Sequence, residues 1–346
     1  MVDFKRAGLF TDLHFGKKAN SQSHNEDCLN FIRWASEQFK DQQVDHIVFL
    51  GDWHENRNAI NVSTLKYSHQ GMEILNSLGL PIYVVVGNHD MYLRHSRDIH
   101  SITHFSSFEN VTVIETPTVI KNKTKDFMLV PFLFHEEYPN LKQYVDIPIW
   151  MGHFEFKGFQ ISGYNISMQS GPDSLEFTEP EIIFSGHFHK RQQCGNVEYI
   201  GNCFPMDFSD AGDTKRGVCI FNYENNSREY IDWQDSPAYY NVKLSDLVSK
   251  KVRIKNNAHV KCIVDMEIDF EESAQIREVV CQKYKLRDFT MEESKDLSNA
   301  ITETVVDDSV DKTASVHDLV IQMLSQINVD TINNEKLISI YKNINI

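Results

Sequence analysis

Short clusters of oxygen- and imidazole-bearing residues recur along this chain: Thr11-Asp12-Leu13-His14, Gly51-Asp52, Gly87-Asn88-His89-Asp90, Gly152-His153 and Gly186-His187-Phe188-His189. Asp12, His14, Asp52, Asn88, His153, His187 and His189 supply enough ligands for two metal ions side by side. Asp12 and His14 are two apart, as are His187 and His189, so at a strand end both members of a pair can turn toward one ion. Asp52 is a lone carboxylate placed to bridge two ions, and Asn88 offers a neutral carbonyl oxygen. Carboxylate and imidazole without thiolate suit manganese first, with magnesium, iron or zinc as alternatives, and suit calcium poorly. Two such ions about 3.5–4 Å apart are suited to splitting a phosphoester.

Strands and helices must bring these clusters together. Residues 7–10, 44–50 and 82–86 read as buried strands. Cys28, Ile32, Ala35 and Phe39 mark one face of a helix after the first strand; Leu65, Met72 and Leu75 mark another after the second, closed by Gly79 and Pro81. This βαβαβ order predicts a parallel sheet with right-handed crossovers, in which ligands gather beyond the carboxyl ends of the strands. After Ser101, short apolar strands at 111–114, 128–131, 147–151, 182–184, 197–200 and 218–222 predict a second sheet packed on the first. Residues 232–240 are irregular and read as a boundary. Residues 259–269, 272–284 and 285–291 then read as strand, helix and strand, a small α/β cap.

The expected organisation is a domain over 1–235 carrying the clusters, a cap over 240–291, an acidic linker over 292–314 and a helical segment over 315–346. Ser315 with Asp318 resembles a capping box. Val316, Leu319, Val320, Met323, Leu324 and Ile327 follow at helical spacing, and a second short helix follows from Asn334 through Leu337, Ile338 and Tyr341.

Composition narrows the setting. The net charge of −15 over 346 residues argues against broad coating of nucleic acid, though not against a local basic groove. No run of eighteen apolar residues exists, so no membrane span is expected. The opening MVDFKRAGLFTD reads as a charged lead into a strand rather than a signal peptide. The 6 cysteines, none in a CxxC pair, read as reduced thiols of a cytoplasmic protein, and thiolate zinc sites are not expected.

The motifs DxH, GD, GNHD, GH and GHxH, in this order, resemble the calcineurin-like metallophosphoesterase superfamily. The resemblance implies an α/β fold, a two-sheet sandwich flanked by helices, with the cap and C-terminal helices added. It implies that Asp12, His14, Asp52 and His189 hold one ion, and Asp52, Asn88, His153 and His187 the other. His89 would be the catalytic imidazole, stabilising the transition state or protonating the leaving oxygen, and Asp90 would orient it. Phosphoprotein phosphatases typically read GDxVDRG at the second cluster, where this chain has Gly51-Asp52-Trp53-His54-Glu55-Asn56-Arg57. Small phosphodiesterases usually stop soon after the core, whereas this chain continues.

The Gly152-to-Glu155 stretch, and the run from Gly186-His187-Phe188-His189 to Lys215-Arg216-Gly217-Val218, resemble the SbcD family of double-strand-break nuclease subunits and its phage recombination-nuclease counterpart. That resemblance implies a two-metal-dependent DNA exonuclease or endonuclease acting at DNA ends in repair, recombination or replication, in the cytoplasm, or the host cytoplasm for a phage protein. It implies an SbcC-type ATPase partner, since the chain has no GxxxxGK[ST] loop, and a heterotetramer built on a homodimer. The stripe from Val316 to Ile327 would dock on that partner. One departure stands out: Glu55 occupies the position where many family nucleases carry a histidine, with His54 one residue early, which leaves the exonuclease-to-endonuclease balance open.

Lys17 and Lys18 trail the first cluster, Arg57 the second, Arg94 and Arg97 the third, and Lys190 and Arg191 the last. Such placement on an acidic chain favours a polyanion, with DNA the expected partner. The alternatives are a phosphodiesterase or phosphatase of the same superfamily for small or protein substrates, or a non-catalytic scaffold at DNA ends.

Overall fold

The apolar runs at the head of the chain fold into the expected alternation: β1 (Arg6–Phe10), α1 (Gln22–Asp41), β2 (His46–Phe49), α2 (Val62–Asn76) and β3 (Ile82–Val85). The computed structural model describes residues 1–161 and 166–293, with Lys336, Ile338, Ser339 and Tyr341. Ser21 caps α1 by accepting from the His24 backbone N–H, and Asn61 caps α2 by accepting from that of Ser63. Helix α1 buries Cys28, Ile32, Ala35 and Phe39. Helix α2 turns differently from its expected face. Thr64 and Ser68 point inward with Met72 and Leu75, and Leu65 is exposed. Buried donors need partners, and these hydroxyls supply them, to Asn25 Nδ2 at 3.0 Å and Trp53 Nε1 at 2.9 Å.

The remaining strands of the sandwich are β4 (Val111–Ile114), β5 (Thr118–Ile120), β6 (Phe127–Val130), β7 (Ile149–Gly152), β8 (Ile182–Ser185), β9 (Gln192–Cys194), β10 (Val197–Tyr199), β11 (Gly217–Asn222) and β12 (Arg228–Asp232). One sheet runs β12-β11-β1-β2-β3-β4 and the other β9-β10-β8-β7-β6-β5. Strands β1 to β4 are mutually parallel, as are β6, β7, β8 and β10. The expectation that all strands after Ser101 form the second sheet is thus corrected. Val111–Ile114 extends the first sheet, and Gly217–Asn222 pairs antiparallel with β1. A strand's own residues encode burial and alternation but not its neighbour, so this pairing was not legible.

Leu9, Val48 and Val85 from the first sheet meet Leu129, Met151 and Phe184 from the second in one core. Phe10, Phe49 and Val84 face the other way, onto α1 and α2. Both faces of the central strands are therefore apolar, as parallel strands require.

The irregular stretch from Asp232 is anchored by Trp233, which packs with Phe31, Trp34 and Phe204. Beyond it the cap contains a strand that the sequence did not suggest, β13 (Tyr239–Lys243), then α3 (Leu244–Val248), β14 (His259–Val264), α4 (Phe270–Tyr284) and β15 (Asp288–Glu293). Its sheet is parallel, in the order β13-β14-β15. Strand β14 ends five residues before expected because Asp269 and Glu272 form a capping box that opens α4. Lys285, left-handed at φ 47°, closes α4 and delays the last strand. Arg287 joins the cap to α1 through a two-pronged contact with Asp27 at 2.5 and 2.8 Å.

Glu292 and Glu293 belong to β15 rather than to the expected acidic linker. The rest of that linker, and Val316, Leu319, Val320, Met323, Leu324 and Ile327, lie outside the described residues. Of the second terminal helix, Lys336, Ile338, Ser339 and Tyr341 are helical.

The carboxyl ends of β1, β2, β3, β7 and β8 come to one rim of the sandwich, where the two sheets come into close contact at Gly186. A Cβ on Gly186 would lie 2.1 Å from Thr11 Oγ1 and 2.8 Å from the Leu50 carbonyl oxygen. Only glycine fits there. Gly186→Ala should therefore lower stability by about 1–3 kcal/mol, read as a fall in denaturation midpoint. An unchanged midpoint would show that the rims are looser than described.

Candidate metal centre

Past their strands, the first two clusters continue to hold one another. Asp12 N–H donates to Gly51 O at 3.0 Å and His14 N–H to Asp52 O at 3.1 Å. Asp12, His14, Asp52 and His187 all adopt left-handed backbone, with φ of 54°, 52°, 61° and 86°. Asp and His tolerate that region better than most residues, yet it remains unfavourable without glycine. The turns are kept because they aim side chains from separate strands at one point.

The Asp90 carboxylate locks these turns from beneath. Its Oδ2 accepts from the backbone N–H groups of Asp52 and Gly87, both at 3.0 Å. Its Oδ1 accepts from those of Trp53 and His54, both at 3.1 Å. Burial and the nearby Asp52 raise its pKa to about 6. This corrects the expectation that Asp90 orients the His89 ring. His89 Nδ1 donates instead to the Glu55 carbonyl oxygen at 2.9 Å, while its backbone N–H donates to Asp52 Oδ1 at 2.7 Å.

The acceptor that each imidazole finds behind it determines which nitrogen faces the centre. His153 Nδ1 donates to the Leu50 carbonyl oxygen at 2.7 Å, so Nε2 faces Asn88 Oδ1 at 2.9 Å and Asp52 Oδ2 at 3.4 Å. His187 Nε2 lies 3.2 Å from Glu155 Oε2, so Nδ1 faces Asn88 Oδ1 at 2.9 Å. His14 Nδ1 lies 2.7 Å from Glu55 Oε2, and neither atom has another close hydrogen-bond partner. His14 Nε2 then faces His189 Nε2 at 3.1 Å, Asp12 Oδ1 at 3.6 Å and Asp52 Oδ2 at 3.8 Å.

What converges is a set of carboxylate and amide oxygens and imidazole nitrogens. Among the described residues Asp12 Oδ1 is buried with no hydrogen-bond partner, a costly arrangement unless a cation satisfies it. The candidate ligand atoms fall into three overlapping groups, the first two sharing His14 and the last two sharing Asp52. Asp12, His14 and His189 form the first, His14, Asp52 and His89 the intermediate, and Asp52, His153 and His187 the other. Asn88 Oδ1 joins the last through both of its histidines. All the expected ligands thus meet in one place, and the donor set fits two divalent ions joined through Asp52.

The electrostatics agree. Burial disfavours charge on His14, but Asp12, Glu55 and Asp52 overcome it and raise its pKa to about 10. Burial likewise opposes charge on His153, and Asp52 and Asp12 raise it to about 9. Protons on these rings do in the metal-free protein what cations would do in the loaded one. Burial lowers His189 to about 4 despite the pull of Asp12. His54 is buried, bonded to Ser101 and Ser68 and lowered by that burial to about 3, in keeping with its being left out of the ligand set.

Two carboxylates at the centre are absent from the expected set. Glu155 backs His187, and its signal was its spacing two residues after His153. Glu55 backs His14, offers its carbonyl to His89 and lies 3.7 Å from Lys17 Nζ. Burial opposes its charge, but His14 and Lys17 hold its pKa down near 2.

The trailing cations divide. Arg97 pairs with Glu137 at 2.6 Å and Arg191 with Asp232 at 2.9 Å. Lys190 bonds Gln160, and Lys18 bonds the Tyr239 hydroxyl of the cap. Arg57 and Arg94 line an open cavity that also borders His89.

A model of the calcineurin-like phosphoesterase family matches residues 5–191, a span that brackets every cluster. Exonuclease subunit 1 of Enterobacteria phage T4 is 27% identical over 224 residues, covering 64% of this chain and 65% of that protein. The SbcD component of the SbcCD nuclease of Escherichia coli (strain K12) is 23% identical over 272 residues, covering 64% and 66%. The match therefore spans just under two thirds of the length of both relatives. A solved archaeal phosphodiesterase aligns at 13% identity with a TM-score of 0.37, over 66% of this chain and 99% of that one.

A pH dependence follows from the metal-free charges. His14 and His153 have folded values near 10 and 9, above an unfolded value of about 6.5. Their contribution is fully present below about pH 6.5 and is lost as pH rises through the folded values. Buried neutral His189 acts oppositely, losing its contribution as pH falls below about 6.5 toward 4. In chelator, the urea midpoint should fall steadily from about pH 7 to 10, and added manganese should flatten the fall. A level profile in chelator would contradict the charge assignment.

Proposed function

The chain belongs to the calcineurin-like phosphoesterase family, and we propose that it is a two-metal DNA nuclease subunit working at DNA ends with an SbcC-type ATPase. As a member of that family it is a phosphoester hydrolase. The observation that carries the finer reading is the pairing of a candidate metal-ligand cluster with two guanidiniums, Arg57 and Arg94, that have no ion-pair partner among the described residues and line a cavity bordering His89. Phosphates of a nucleic-acid backbone need such cations beside the reacting bond.

Asp12, His14, Asp52 and His189 would hold one ion, and Asp52, Asn88, His153 and His187 the other. When bound, the two ions supply Lewis acidity to the phosphate oxygens and acidify the attacking water. The protein's own work is orientation. Leu50, Glu155 and Glu55 fix the faces of His153, His187 and His14, and Asp90 holds the turns that present Asp52 and Asn88. His89, with Nδ1 committed to the Glu55 carbonyl, keeps Nε2 for the substrate. From there it stabilises charge on the phosphoryl oxygens and passes a proton to the leaving oxygen.

The names of the two relatives describe an exonuclease and a nuclease, each as one component of a larger enzyme, which supports the DNA reading and the need for a partner. No helix among the described residues is long and apolar enough to cross a membrane. Manganese remains the proposed metal on donor chemistry, and the stripe from Val316 to Ile327 the proposed contact for the ATPase.

The full-length protein should degrade linear DNA with manganese and stop in chelator. His89→Ala should lower cleavage by about 10²–10⁴-fold while retaining its metal content. Loss of both metals in that variant would make His89 a ligand instead. A wild-type protein that hydrolyses cyclic nucleotides or phosphopeptides but leaves DNA intact would overturn the nuclease reading.

A further inference from the structure

Beside His89 lies a cavity of about 490 Å³, lined by Asn56, Arg57, Asn58, Tyr92 and Arg94 among others. That volume is in the range of a small-ligand pocket. Beside Glu55, Ala59 and His89, its wall carries three kinds of side chain that each match one part of a nucleotide.

The first kind is the pair of guanidiniums. Among the described residues neither Arg57 nor Arg94 takes part in an ion pair or hydrogen bond. Arg97, Arg191, Arg216, Arg228 and Arg287 each hold a carboxylate. Arg57 feels Arg94 nearby: burial lowers the Arg57 pKa and the Arg94 charge adds to the fall, against the pull of Asp52 and Asp90. Two like charges held together without a counter-ion are unfavourable, and an anion between them removes the penalty.

The second is Tyr92. It sits in a short hairpin, Met91–Leu93 against Ser96–His100. The ends of this hairpin are fixed, since Met91 and His100 pair and are buried, and the Ser101 N–H donates to the Asp90 carbonyl at 2.8 Å. Arg97 pins its second strand to Glu137. Tyr92 alternates outward and is 46% exposed. A large aromatic held in water on a braced hairpin is a platform for a flat partner. The third kind is the amides of Asn56 and Asn58, which offer both donors and acceptors.

We propose that this cavity is a binding pocket for one unpaired nucleotide of a DNA strand, with the base stacked on Tyr92 and its phosphates on Arg57 and Arg94. The bond to be cut then lies toward His89. Within a duplex both faces of a base are covered by neighbours, so only an unstacked base can lie on Tyr92. The pocket therefore selects single-stranded or frayed ends. This proposal rests on the nuclease reading and specifies its substrate.

Fluorescence anisotropy with the full-length protein tests it. The probes are single-stranded decamers with phosphorothioate linkages, either intact or carrying an abasic sugar at the 3′ or the 5′ terminal position. Wild type should bind the intact strand about tenfold more tightly than one of the abasic strands, a size typical of one base on one aromatic ring. Y92A should abolish that preference and Y92F should keep it, while R57A and R94A should weaken intact and abasic strands alike. Equal binding of all strands by wild type, or a preference that survives in Y92A, would overturn the pocket and leave the nuclease reading standing. Failure to bind any of the strands would remove both.

Discussion

A buried meeting of lone pairs governs this molecule. Asp12 Oδ1, Asp52 Oδ2, Asn88 Oδ1 and one nitrogen each of His14, His153, His187 and His189 point at a common centre. Such a centre is unfavourable without positive charge. In the metal-free protein the charge comes from protons on His14 and His153, and in the loaded protein from cations. Much of the surrounding backbone is explicable only as what this convergence requires. The sheets close to within contact distance at Gly186, and four ligands accept left-handed backbone. Asp90 accepts four backbone N–H groups from the turns that carry Asp52 and Asn88.

Around the centre, carboxylates and carbonyls decide the direction of each ring. Glu55 is the most connected of them, touching His14 and Lys17 by its side chain and His89 by its carbonyl. The residue that departs from the expected family histidine thus joins the His14 ring to the His89 ring, the proposed catalytic imidazole. A link outward begins next to it. Lys17 faces Glu55, and its neighbour Lys18 reaches the Tyr239 hydroxyl and ring in the cap. Lys18, Ala19 and Asn20 are all left-handed where the chain runs from the rim toward the cap. Arg287 and Asp27 close the same interface from the other side.

The chemistry was the most legible layer of the sequence, because ligand types two residues apart at the ends of apolar runs have few other uses. Asp12 with His14 and His187 with His189 could be read as pairs from spacing alone. The parallel start of the first sheet was legible for a similar reason, since its strands are apolar on both faces. What could not be read was mostly a matter of partners. Nothing in Val111–Ile114 or Gly217–Asn222 states which sheet will receive it. Tyr239–Lys243 becomes a strand only because His259–Val264 lies beside it. Arg97 and Arg57 look alike on paper, but a carboxylate 40 residues away occupies one and not the other. Asp90 was misplaced because adjacency to His89 in sequence suggested contact, while the turn sends its carboxylate to the backbone instead.

The central claim is that one cluster of acceptors holds two ions joined through Asp52. Anomalous scattering from crystals grown with manganese tests it most directly. Two peaks are expected about 3.5–4 Å apart, one among Asp12, His14 and His189 and the other among Asn88, His153 and His187, with Asp52 reaching both. A single peak, or manganese bound away from Asp52 while these side chains keep their positions, would contradict it.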